Sequence, residues 1–126
     1  MTVARPMLCL FLVALCLVGA GCSSQKIQSD LVLDLADRAV IELHNPTEAI
    51  VLVNRSDAPV RVRVLDRKRR VMSDLPLGAR DRVRLDLEHA RSIEIENQSP
   101  TRAVLRWTLT NDDSIEYSLA MNPGGD

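Results

Sequence analysis

The sequence predicts an all-β protein, one small sandwich of about eight strands behind a short N-terminal export segment. Beyond residue 29 the apolar residues recur with period two, as in "RAVIEL" (38–43), "AIVLVN" (49–54) and "SIEIEN" (92–97), the spacing of half-buried strands. Turn-forming clusters separate these runs: "HNP", "NRSDAP", "SDLPLG", "NQSP" and "NDD". No window of ten or more residues carries the 3.6-residue apolar stripe of a helix.

In chain order the expected strands are 30–35, 38–43, 49–54, 59–66, 81–87, 92–97, 103–109 and 114–119, each rich in Val, Ile or Leu. Parity assigns side chains to faces, because successive residues of a strand point oppositely. Val83, Leu85 and Leu87 then point inward with Ile93 and Ile95, while Arg82, Arg84, Glu94 and Glu96 point outward. If 82–87 and 92–97 form a hairpin, one allowed register sets Arg84 against Glu94 and Arg82 against Glu96, pairs that contribute about 0.2–1 kcal/mol each. The same reasoning sets Trp107 opposite Tyr117 and Leu109 opposite Ile115 across "NDD". Trp107 and Tyr117, both in the apolar phase, are expected in the core. "NRS" and "NQS" are read as Asx-type turns.

The chain repeats itself. At a constant offset of 43, "AIVLVNRSDAPVRVR" (49–63) matches "SIEIENQSPTRAVLR" (92–106), with Asn54 on Asn97 and Ser56 on Ser99. With one residue inserted, "DRAVIEL" (37–43) matches "DRVRLDL" (81–87). Two units of three or four strands, packed face to face, follow from this reading.

The first 25 residues carry an address. The 14 apolar residues from Met7 to Ala20, preceded by Arg5, are too few to span a bilayer and suit the apolar region of an export signal. Gly19, Ala20 and Gly21 lead directly to Cys22. This segment resembles a bacterial lipoprotein signal, although Gly19 stands where leucine is commonest. The resemblance implies cleavage before Cys22, lipid on its sulfur and acylation of its new amino group. Ser23 after the cysteine resembles the class sorted to the outer membrane, on its periplasmic face. Cys9 and Cys16 leave with the signal, so the remaining chain has one cysteine and no intramolecular disulfide. The expected organisation is signal peptide 1–21, lipidated Cys22 with a polar tether through 29, a sandwich over 30–122 and a tail over 123–126.

About 40 residues also resemble corners of immunoglobulin-like sandwiches. The Asn-x-Ser-x-x-Pro turn before "VRVRV" is one such corner, and "SDLPLGARDRVRLDL" is another. The resemblance implies an Ig-like sandwich in preference to a barrel.

Chemistry is sparse. The chain has no Gly-x-Ser-x-Gly, phosphate-cradling Gly loop or His-Glu-x-x-His. His44 and His89 are the only histidines. Both follow the first strand of a repeat unit, and no further clustered ligands join them, so no metal or cofactor is expected. "NDDS" lacks the alternating ligands and central Gly of a calcium loop. With two aromatics after residue 11, both core-phase, stacking surfaces for nucleic acid are missing. Charge supplies the one lead. Residues 55–91 hold 11 basic and 6 acidic groups, whereas 22–54 and 92–126 are net acidic. If strands 60–64 and 82–87 share a sheet, Arg61, Arg63, Arg82 and Arg84 form a cationic outer stripe for an anionic surface or partner, with "DRKRR" (66–70) near one end. The expected role is a lipid-anchored, non-catalytic binding or assembly module of the cell envelope. A carrier of a small apolar ligand and an enzyme with an unrecognised site are the alternatives.

Overall fold

The computed structural model describes residues 24–123, so the signal segment and Cys22 lie outside the described residues. Nine strands follow in order: β1 (Gln25–Leu33), β2 (Arg38–Leu43), β3 (Ala49–Asn54), β4 (Val60–Asp66), β5 (Val71–Leu77), β6 (Arg82–Asp86), β7 (Ala90–Asn97), β8 (Ala103–Asn111) and β9 (Tyr117–Asn122). They form two antiparallel sheets, one of four strands in the order β1-β8-β3-β6 and one of five in the order β5-β4-β7-β2-β9.

The all-β expectation holds, and the period-two residues form the core. Ile41, Ile50, Leu52, Val62, Ile93, Ile95 and Leu105 are fully buried between the sheets. Each such side chain contributes roughly 1.5–3 kcal/mol through burial. Trp107 from the four-stranded sheet meets Tyr117 from the other edge to face, with ring centroids 5.4 Å apart.

Two strands depart from expectation. Residues 25–29, expected as tether, belong to β1: Gln25 pairs with Asn111 and Ile27 with Leu109. The polar segment extends a sheet because β8 offers it an edge. β5 occupies a stretch read as loop, "VMSDLPL". It is an edge strand, where Pro76 is tolerated because one side of the ladder is unpaired.

Connectivity corrects the hairpin assignments. Among consecutive strands only β4 and β5 are neighbours; every other connection crosses between sheets, giving a jelly-roll-like sandwich in place of the hairpin-rich Ig-like order. β6 pairs with β3, and β7 with β2 and β4, so Arg84 does not face Glu94, nor Arg82 Glu96. Trp107 pairs in register with Ser29 and Leu52, and its contact with Tyr117 runs through the core. The physical reason lies in the loops. Residues 87–89 join β6 to β7, and a three-residue link spans the roughly 10 Å between sheets as readily as it closes a hairpin. His89 takes a left-handed conformation there, φ 67°, and Ala36 does so in the β1–β2 arch, φ 66°.

The repeat is structural. Its first unit supplies β2, β3 and β4, and its second supplies β6, β7 and β8. The two units interleave instead of packing face to face as separate layers: one sheet holds the order β8-β3-β6 and the other the matched order β4-β7-β2, so each sheet contains strands of both units. Matched strands occupy matched positions in opposite sheets, a pseudo-two-fold relation. The corners agree in detail. Asn54 Nδ2 donates to Ala58 O at 2.8 Å, and its Oδ1 accepts the Ser56 N–H at 3.0 Å. Asn97 Nδ2 donates to Thr101 O at 2.9 Å, and its Oδ1 accepts the Ser99 N–H at 2.9 Å. Both side chains are fully buried, and both sequons are the Asx-type turns the sequence implied.

Candidate functional site

The four arginines do not form one stripe. β4 lies in the five-stranded sheet and β6 in the four-stranded one, because the chain crosses the sandwich after β5. Arg61 and Arg63 therefore decorate one outer face, and Arg82 and Arg84 the other.

On the first face the charges are internally matched. Arg61 Nε donates to Asp74 Oδ1 at 2.7 Å, and Arg63 contacts Glu94 at 3.2 Å. The Arg61 hydrogen bond, aided by the positive charge of Arg61 and Arg63, holds the Asp74 carboxyl below its ordinary range; the same bond raises Arg61 above its ordinary value. In register, Arg63 stands between Asp74 and Glu94, and Glu96 between Arg61 and Arg38. The glutamates expected opposite β6 neutralise β4 in its place.

The "DRKRR" turn joins β4 to β5. Asp66 Oδ1 accepts the backbone N–H groups of Lys68 and Arg70, both at 2.9 Å, and Arg70 Nε donates to Oδ2 at 3.1 Å. These bonds, led by the Arg70 N–H, keep Asp66 below the ordinary carboxylate range. Arg67, Lys68 and Arg69 remain exposed, with Arg69 at φ 63°.

This turn borders a cleft of about 930 Å³ at one end of the sandwich, floored by Leu43 and Leu87 and lined by His44, Glu48, Arg67, His89 and Arg91 among others. Both histidines, each following the first strand of a repeat unit, line this cleft. They serve local contacts: His44 Nε2 lies 3.1 Å from Ser118 Oγ, and His89 Nε2 lies 3.7 Å from Glu88. Among the described residues, no group of three or more His, Cys, Asp or Glu is placed to hold a metal ion. Asn111, the β8 partner of Gln25, also lines the cleft. β1 therefore begins at the cleft end.

On the other face, Arg82 and Arg84 are exposed on edge strand β6, and neither has a hydrogen-bond or ion-pair partner among the described residues. Their neighbours in register are Val53 and Val51 of β3. Sequence reasoning missed that β6 is an edge. The match of 37–43 to 81–87 makes β6 the counterpart of β2, which is flanked on both sides, so it held no signal of an edge.

No protein-family model and no curated protein matches the chain. Among solved structures, the chain is similar to a conserved protein with a double-stranded β-helix domain from Klebsiella pneumoniae, with TM-score 0.53 and 10% identity over 75% of this chain and 74% of that one. It is also similar to a protein of Bacillus endospore appendages that form disulfide-linked pili, with TM-score 0.51 and 11% identity over 72% and 88%. A third similarity, to an oxalate decarboxylase, has TM-score 0.56 and 12% identity over 75% of this chain and 23% of that one. At these identities the likeness establishes the two-sheet β fold alone.

Proposed function

We propose that the chain is a cell-envelope protein held at the membrane by lipid on Cys22, on the periplasmic face of the outer membrane, and that it acts as a non-catalytic binding or assembly module. The observation that carries this reading is the start of β1 at Gln25. Only Ser23 and Ser24 separate the anchor from the folded domain, a reach of about 10 Å when extended. Such a link holds the cleft end close to the bilayer and presents the strand edges and the opposite end to the surroundings. The interior supports surface binding over carriage of a ligand within, because side chains from both sheets meet across it and most are fully buried.

Two or three acyl chains anchor far more firmly than one, at ~0.8 kcal/mol per buried CH₂. Cells expressing the protein are expected to incorporate a fatty-acid probe into it, with Cys22 as the first residue of the processed chain. Cys22→Ser is expected to abolish labelling and leave either uncleaved precursor or protein released from the membrane. Unchanged membrane retention of a correctly cleaved Cys22→Ser variant would contradict the anchor.

A further inference from the structure

The pseudo-two-fold relation leaves one place empty. In the five-stranded sheet β9 lies beyond β2; in the four-stranded sheet nothing described lies beyond β6, the counterpart of β2. The backbone shows what is missing. His44 N–H donates to Glu116 O at 2.8 Å, so by the two-residue alternation of an antiparallel ladder Arg38, Val40 and Glu42 direct their backbone groups to β9. In β6, Leu87 N–H donates to Glu48 O at 2.9 Å and Asp81 O accepts the Asn54 N–H at 2.8 Å. The same alternation turns Val83 and Leu85 toward β3 and leaves the backbone groups of Arg82, Arg84 and Asp86 facing outward. These three match Arg38, Val40 and Glu42 across the repeat. The groups that β9 satisfies on β2 are thus open on β6.

The side chains carry the same imprint. Val83 and Leu85 point into the core phase but are only half-buried, whereas their counterparts Ala39 and Ile41, flanked on both sides, are fully buried. Arg82 and Arg84 stand free on the outer face of this edge. Of the three other edges, β5 carries Pro76 and faces a bulge in β4, the outer face of β1 carries Asp30, which takes Arg106 at 3.1 Å, and β9 is the added strand itself, exposed along most of its length.

We infer that β6 is a docking edge that accepts an extended segment of another protein as the fifth strand of its sheet. The segment runs antiparallel to β6 and alternates apolar with acidic residues. Its backbone takes the open N–H and C=O groups of Arg82, Arg84 and Asp86, a mode of recognition in which main-chain bonds give affinity and alternate side chains give specificity. Its apolar residues cover Val83 and Leu85, and its carboxylates meet Arg82 and Arg84 across the strands. This inference deepens the binding-module reading and rests on it for its biological setting.

The test uses the full chain in detergent micelles and an end-capped, fluorescein-labelled peptide alternating valine with glutamate. Saturable binding is expected, weakening with added salt and falling about tenfold in an Arg82→Glu/Arg84→Glu variant. Arg67→Glu, in the turn between β4 and β5, is expected to leave binding unchanged. Bound peptide is expected to slow hydrogen exchange at the Arg82 and Arg84 amides. Equal binding of a lysine-for-glutamate peptide, or full affinity in the double variant, would overturn the assignment. Absence of binding at low salt would also overturn it and mark the two arginines as guards against strand pairing. Self-association through β6 without peptide binding would overturn it in favour of a second copy. Peptide binding is expected to survive Cys22→Ser. Lost binding with intact acylation therefore removes only the edge assignment, and lost acylation with intact binding removes only the anchor.

Discussion

Trp107→Ala is expected to remove about 3–5 kcal/mol of stability, the range for deleting a large buried aromatic. A domain of this size has about 5–15 kcal/mol in all, so the variant loses much of its margin. Trp107 is 1% exposed and touches Tyr117 edge to face, and the described residues include no cysteine to form a disulfide and no group placed to hold a metal. Urea unfolding followed by circular dichroism measures the loss. Trp107→Phe separates volume from polarity. The indole Nε1 is buried without a hydrogen-bond partner, and an orphaned donor costs about 1–3 kcal/mol. Phenylalanine removes that group while keeping most of the ring, so a loss below about 1.5 kcal/mol is expected. Wild-type fluorescence with a water-like emission maximum would contradict the buried placement.

The second large effect is at the two corner asparagines. Asn54 Nδ2 serves Ala58 O, Gly78 O and Leu77 O at 2.8, 3.0 and 3.2 Å, and its Oδ1 takes both Ser56 N–H and Oγ–H. Asn97 serves Leu33 O and Thr101 O, both at 2.9 Å, and accepts the Ser99 N–H. Each side chain ties its own turn to a distant segment, Leu77–Gly78 for Asn54 and Leu33 for Asn97, and its removal strands buried carbonyls. Asn97→Ala is expected to cost about 2–4 kcal/mol, and Asn54→Ala at least as much because it holds more groups. Thermal unfolding is expected to show shifts of roughly 4–8 °C per kcal/mol. Unchanged midpoints would mean that the corners hold without these side chains.

The period-two pattern made the strands and core legible, because burial of one face forces alternation. The repeat was legible because its Asn-x-Ser corners satisfy buried backbone at both sites, which only asparagine at that position does. Pairing was not legible. An arch such as 87–89 and a hairpin turn use the same number of residues and the same polar types, so the sequence does not distinguish Glu94 facing Arg84 from Glu94 facing Arg63. β5 was hidden by Ser73, Asp74 and Pro76, which an edge strand accepts and a central strand does not. For the candidate site, outward parity correctly placed all four arginines on outer faces. Their division between two faces depends on the crossing after β5, a long-range fact absent from local pattern.

Hydrogen exchange on the isolated full-length protein tests most directly whether one sheet lacks the strand its counterpart has. The amides of Arg38, Val40 and Glu42 in β2 are expected to be protected by β9, and those of Val83 and Leu85 in β6 by β3. The amides of Arg82, Arg84 and Asp86 are expected to exchange rapidly. Protection at Arg82 and Arg84 matching that at Arg38 and Val40, in a monomer with nothing bound, would contradict the open edge.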